Sequence, residues 1–195
     1  MIEAESIELL RDARQLNARG NVLAVFPEAA GPAAGSPNGS PGSAHARRAD
    51  LWRIRAGSLT YWSAEGRARL EQSITAQSSQ GQISSRTLEL FFSSAGPSAQ
   101  AVPAAATSSG PQQLTRALAS GGVTVRQGGR RGTAERAEYS AAEGKFVLSG
   151  GRPTLYDASG GTTTGRQLTF FFANDTIVVD SEDGSRTLTR HRVEK

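Results

Sequence analysis

The sequence predicts an all-β fold of stacked hairpins. Three observations carry this: a strand-and-turn composition, a recurring apolar spacing, and turn-forming residues at a fixed place in each repeat. The 195 residues include 22 Gly and a single Met. Short apolar runs separated by Gly, Ser and Thr suit strands and turns better than a helical bundle. A chain of this length suits one domain, 1–195, large enough to bury a core.

In the repeat, a small residue is followed three positions later by an apolar one and two positions after that by another. The instances are Ala4-Ile7-Leu9, Ala56-Leu59-Tyr61, Ser85-Leu88-Leu90, Ala134-Ala137-Tyr139 and Gly165-Leu168-Phe170. Return strands follow at Leu16-Ala18, Ala68-Leu70, Phe146-Leu148 and Ile177-Val179. The gaps hold turn formers: Arg11-Asp12, Ser63-Ala64-Glu65-Gly66, Ala142-Glu143-Gly144 and Asn174-Asp175. These are hairpins. The step of three breaks the strand period of two, so it predicts a bulge or bend eased by the small residue. Helix competes over Ile2 to Arg19, where Ile7, Leu10 and Ala13 have helical spacing; the match to the other repeats favours strand.

Two segments break the pattern. Pro27–Arg48 and Ser93–Gln112 are rich in Ala, Gly, Pro and Ser and have no apolar period, which predicts long disordered loops. Interdomain linkers are the alternative. The repeats start at residues 4, 56, 85, 134 and 165. Subtracting about twenty residues for each segment leaves a period near thirty, a spacing typical of stacked supersecondary units. Both segments then fall inside one domain, the second within the third hairpin, whose return strand runs from Ala117-Leu118 to Val125.

Composition excludes some chemistry. With no Cys there are no disulfides or thiolate metal sites. Of the two histidines, His45 lies in a low-complexity segment and His191 near the tail, and no Ser, His and acid set or metal-ligand cluster can be assembled. The acids Glu135, Glu138 and Glu143 share a hairpin, where alternation puts them mainly on the solvated face. The expectation is a protein without cofactor, metal or catalysis. Gly128-Gly129 and Gly160-Gly161 lack a strand–loop–helix setting and read as turns rather than phosphate loops. No apolar stretch approaches the length of a membrane-spanning helix. Met1-Ile2-Glu3 runs straight into patterned sequence, so an exported protein would be represented here by a mature fragment or an excised domain.

The formal charge is +4, carried almost wholly by Arg. A GC-rich genome explains the Arg, Ala and Gly bias as readily as function does. Arg126, Arg130 and Arg131 cluster in one turn, Arg186, Arg190 and Arg192 near the end, and Trp52 and Trp62 flank Arg53 and Arg55. Basic residues interleaved with aromatics can form a single-strand platform, but no nucleic-acid motif is present, and a solvated sheet face accounts for them more simply.

Three stretches resemble a known family. Ala4-Glu5-Ser6-Ile7-Glu8-Leu9 followed by Leu16-Asn17-Ala18-Arg19-Gly20-Asn21-Val22 resembles the OstA-like repeat of bacterial lipopolysaccharide-transport proteins. Ala134–Tyr139 with Phe146–Pro153 resembles its form in which glycine precedes a proline-led segment, and Gly165–Phe170 with Ile177–Val179 is similar to its closing repeat. The long inserts, and a Gly-Asn-Val step confined to the first repeat, depart from the pattern. The resemblance implies an elongated, partly open β-jelly-roll, or β-taco, whose two sheets enclose a hydrophobic groove. It implies lipopolysaccharide transport in the periplasm of Gram-negative bacteria, with acyl chains in the groove and sugar and phosphate outside. The other partners it implies are OstA-like proteins, or copies of the chain itself, joined head to tail by edge strands.

The expected groove residues are Ile7, Leu9, Leu59, Tyr61, Leu88, Leu90, Tyr139, Leu168 and Phe170, with return-strand partners Val22, Leu70, Ile74, Val123, Phe146, Leu148, Ile177 and Val179. Ordinary core packing explains any one of them more simply. Arg130 and Arg131 are expected to meet lipid phosphates at the rim, and Ile2 to Leu9 and Thr187 to Val193 to form the free edges. A ligand-free β-solenoid fits the same period; its core would be tightly filled, whereas a lipid carrier needs a groove open along one side.

Overall fold

The computed structural model describes residues 1–27, 51–79, 81–94, 112–171, 176–180 and 188–190. They form a 14-stranded sheet, with no helix among them. The strands are β1 (Ile2–Glu3), β2 (Ser6–Leu10), β3 (Gln15–Pro27), β4 (Leu51–Trp62), β5 (Arg67–Gln77), β6 (Gln82–Ser94), β7 (Gln112–Gln127), β8 (Arg130–Ser140), β9 (Lys145–Ser149), β10 (Thr154–Tyr156), β11 (Thr162–Thr164), β12 (Gln167–Phe171), β13 (Thr176–Asp180) and β14 (Leu188–Arg190). All pairings are antiparallel. The segment from Ile2 to Arg19 is strand and turn, as its likeness to the other repeats predicts.

A row of bulges divides the sheet into two halves. Register shifts fall between Arg19 and Val22, Arg55 and Ser58, Glu71 and Ile74, Ser84 and Thr87, and Ser120 and Val123. At each step across the sheet, two residues of a return strand stand against one of its neighbour: Gly20-Asn21, Gln72-Ser73 and Gly121-Gly122. Gly150-Gly151 continues the row beside Glu135, whose N–H bonds the Gly150 carbonyl at 3.0 Å. An extra residue bends a strand and raises its twist. Repeated at the same level in successive strands, it forms a crease. The extra residue therefore lies in the return strand, opposite the position after the small residue of the repeat, as Gly20-Asn21 lie opposite Gly57 after Ala56.

Each long strand contributes one segment on either side of the crease. Half I runs from β2 through Gln15–Arg19, Ser58–Trp62, Arg67–Glu71, Thr87–Phe91, Arg116–Ser120 and Arg136–Ser140 to β9, β12 and β13. Half II runs from β1 through the opposite ends of β3 to β8 and on to β10, β11 and β14. The halves face each other across one apolar core that includes Ala18, Val22, Leu59, Leu70, Ile74, Leu148 and Leu168, each at most 2 % exposed. Hairpin turns line the two free lips opposite the crease. Gly128-Gly129 and Gly160 lie in such turns with positive φ.

The low-complexity segments interrupt two hairpins of the continuous sheet. Pro27 pairs with Leu51, and Ser94 with Gln112, so one segment leaves the lip of half II and the other the lip of half I. Pro27, Ser93, Ser94 and Gln112 belong to strands; the rest of both expected loops lies outside the described residues, as does the Asn174-Asp175 turn.

Two expectations are corrected. Ile7 and Leu9 are not enclosed: they are 51 % and 62 % exposed. Their cross-strand partners Ala18 and Leu16 put them on the inner face, but β1, opposite them in half II, is only two residues long and leaves them uncovered. The second free edge is also split: β13 borders half I and β14 borders half II. Of the expected Thr187–Val193 edge, only Leu188–Arg190 falls among the described residues.

The crease and the core give separate predictions. A Cβ at Gly121 (φ +83°) would sit 2.8 Å from the Arg86 Cβ, whereas at Gly122 (φ +79°) it would meet nothing within 4 Å. Gly122→Ala should cost about 1–2 kcal/mol from backbone conformation alone, and Gly121→Ala clearly more, by urea denaturation; equal losses would count against steric contact at the crease. Leu148→Ala should cost about 2–5 kcal/mol, while Leu9→Ala should stay within about 0.5 kcal/mol in the monomer.

Candidate functional site

Between the halves lies a wholly apolar slot. Half II contributes Phe26, Trp52, Ile54, Ala76 and Ile83; half I contributes Leu88, Leu90, Leu114, Ala117, Tyr139 and Phe146. Strand alternation builds this wall. In β4, for example, Trp52, Ile54 and Ala56 are buried while Leu51, Arg53 and Arg55 are exposed. The slot is partly open and its free space is about 30 Å³, room for about two water molecules.

Aromatic rings close the mouth. Phe26, one residue from the end of β3, meets Phe92, two from the end of β6, with ring centroids 5.2 Å apart. Tyr61 stands edge-on to Phe92 at 6.4 Å. The Phe26–Phe92 contact joins the two lips, whereas Tyr61 and Phe92 both belong to half I, and aromatic pairs of this kind contribute about 0.5–1.5 kcal/mol each beyond area burial. Trp52 pairs with Phe26 across β3 and β4. It is 9 % exposed, and its buried indole N–H has no acceptor. Leaving such a donor unpaired costs about 1–3 kcal/mol.

The ends of the structure differ. Near β9 and β12 the halves are locked: a Cβ on Gly132 of half II would approach Leu148 Cδ1 to 2.6 Å and Phe170 Cζ to 3.3 Å. At the other end, Ile7 and Leu9 of β2 extend the inner face into solvent.

Of the expected groove residues, Val22, Leu59, Leu70, Ile74, Leu88, Leu90, Val123, Tyr139, Phe146, Leu148, Leu168 and Phe170 are buried in the shared core. Tyr61, Ile177 and Val179 are partly buried against it. Only Leu88, Leu90, Tyr139 and Phe146 among them line the slot. Phe26, Trp52, Ile54, Ala76, Ile83, Leu114 and Ala117 were not expected there. The alternation Trp52-Ile54-Ala56, and the pairing of Ala76 with Ile83 across one hairpin, are the sequence signals that mark this wall.

Arg130 and Arg131 stand on the lip of half II beside a polar basin of about 450 Å³ that also includes Gln77, Gln82, Arg126 and Gln127. Arg130 Nε is 3.8 Å from Asp157. The Arg131 guanidinium lies 4.4 Å over the Tyr156 ring. Alternation about buried Gly132 turns Arg131 toward the outer face and Arg130 toward the inner one.

Other candidate clusters are dispersed. Glu138 accepts a hydrogen bond from Arg116 at 2.7 Å. Glu143 accepts one from Lys145, which holds its carboxyl below the usual range, and Glu135 is exposed at the crease. Trp52 is buried, and Trp62 carries the Arg67 guanidinium at 4.4 Å, so the two tryptophans do not form an exposed platform. Among the described residues no group of three or more His, Cys, Asp or Glu could hold a metal ion. His45 and His191 lie outside them.

No family profile matches the sequence, and no curated protein matches it either. The fold has a counterpart among solved structures. The crystal structure of LptH, the LptA homologous periplasmic component of the conserved lipopolysaccharide transport device from Pseudomonas aeruginosa, superposes with a TM-score of 0.55 at 12 % identity. The match covers 74 % of this chain and 95 % of that one. The chain therefore has an all-β fold like that of an LptA-type β-jelly-roll.

Proposed function

We propose that this protein is a single-domain, periplasmic lipid carrier that takes lipopolysaccharide acyl chains between its two sheet halves, as one component of a bridge from inner to outer membrane. The observation that carries this reading is the wholly apolar slot beneath a mouth held by the Phe26–Phe92 contact. Likeness in fold to a lipopolysaccharide-transport component supports it.

At its present width the slot is too small for an acyl chain, so the lips must part about the crease. Burial of a methylene contributes about 0.8 kcal/mol, and a long acyl chain supplies that gain many times over. Parting the aromatic rings at the mouth costs about 0.5–1.5 kcal/mol per pair, which the chain outweighs. Groups lining the slot, with Tyr61 and Phe92 at its mouth, would touch lipid first. The locked set around Leu148, Leu168 and Phe170 would act as a hinge wall.

Arg130, at the inner side of the lip, would face a lipid phosphate, with Arg126 and Arg131 reinforcing the positive rim. The uncovered inner face at Ile7 and Leu9 and the unpaired edge of β2 would accept an edge strand from another OstA-like protein or a second copy. A ligand-free scaffold is the second reading, and the tightly filled end around Gly132 favours it.

Native mass spectrometry with lipopolysaccharide, phospholipid and a short oligonucleotide separates these readings. Stoichiometric lipopolysaccharide adducts are expected on the wild type. Ala117→Leu, which fills the slot with apolar volume, should weaken them about tenfold or more while far-UV circular dichroism stays unchanged. A wild type that takes no lipid would leave the scaffold, and adducts with the oligonucleotide alone would move the function to nucleic acid.

A further inference from the structure

The position of one donor at the mouth points to a more specific ligand. We infer that the Trp52 indole N–H donates a hydrogen bond to an oxygen carried by the ligand's acyl chain near its head, an ester or amide carbonyl or a chain hydroxyl. This inference rests on the lipid-carrier reading. Trp52 is more than nine-tenths buried, and its Nε1 has no acceptor. Its neighbours in the half II wall, Phe26, Ile54, Ala76 and Ile83, have no side-chain oxygen or nitrogen to offer, and the hydroxyl of Tyr139 across the slot is not bonded to it. Buried N–H groups are ordinarily paired, and an unpaired one on a residue that lines a candidate site calls for a partner that arrives with the ligand.

Its depth fits that partner. Trp52 is the second residue of β4 and pairs with Phe26 next to the end of β3, so it stands at the mouth rather than at the crease. An amphiphile with its chain in the slot and its head outside sets its linkage oxygens at that level. An alkyl chain without such an oxygen would leave the N–H unpaired. The site should therefore prefer acyl over alkyl chains of equal length.

The test uses chain-matched probes below their micellar concentrations: 1-palmitoyl lysophosphatidylcholine against its 1-O-hexadecyl ether, and 3-hydroxytetradecanoic acid against tetradecanoic acid. Affinities are read on the wild type and on Trp52→Phe, which keeps the ring and removes the donor. The ¹⁵N-indole resonance of Trp52 is followed in a Trp62→Phe background.

The wild type should favour the ester over the ether, or the hydroxy acid over the plain acid, by about three- to tenfold, the range of one neutral hydrogen bond. Trp52→Phe should bring the two members of each pair to equal affinity, and the wild-type indole signal should move only with the preferred probe. The pair that shows the preference identifies the oxygen as carbonyl or hydroxyl. Equal affinities within both pairs, with a silent indole signal, would overturn the inference and leave the carrier reading intact. A preference that survives in Trp52→Phe would overturn it too, and no binding of any probe would remove both.

Discussion

The crease is the constraint on which the rest of the structure depends. A flat antiparallel sheet of this width would expose one apolar face along its length. Bulges at the same level in successive strands fold that face onto itself, so each long strand supplies inner residues to both halves. The left-handed pairs Gly20-Asn21, Gln72-Ser73, Gly121-Gly122 and Gly150-Gly151 make the bend, and the residue opposite packs over it. The Gln72 side chain lies so close to Gly57 that a Cβ there would meet its Oε1 at 2.4 Å. Two non-glycine residues with positive φ in one turn of the crease carry a conformational cost of roughly 1–3 kcal/mol each, which the core on either side must outweigh.

From the crease follow both a closed and an open region. Where large side chains of one half meet a glycine of the other, as Leu148 and Phe170 meet Gly132, the halves cannot separate without giving up close van der Waals packing. Where small side chains line the slot, as Ala76 of half II and Ala117 of half I do, packing is looser and is finished by rings at the lips. The low-complexity segments join the sheet at Pro27 and Leu51 on one lip and at Ser94 and Gln112 on the other. These junctions lie at strand ends, away from the crease.

Much of this was legible in the sequence because the crease leaves a period error. A step of three inside a period of two announces a bulge, and Gly20-Asn21 and Gly121-Gly122 mark its partner strand. Gln72-Ser73 was illegible, since neither residue advertises a left-handed backbone and only the neighbouring strands hold them there. The wall of half II was under-read for another reason. The repeat is set by the residues after the step, which belong to half I, so it does not include Trp52, Ile54, Ala76 and Ile83 despite their alternation. Ile7 and Leu9 carry the same pattern as Leu59 and Tyr61, yet stand exposed because sequence period fixes which face a residue occupies and not whether anything covers that face. The slot itself depends on where two halves distant in sequence leave a gap, and no local pattern encodes it.

The central claim is that the slot takes a chain by parting of its lips. The protein has no cysteine, so Phe26→Cys and Phe92→Cys can be introduced together and joined by a short bis-maleimide, with the same variant left unjoined as reference. Lipopolysaccharide binding by the two forms is the measurement. The unjoined form should bind and the joined form should not. Equal binding by both would contradict opening at the mouth and with it the account of the slot as the carrier site.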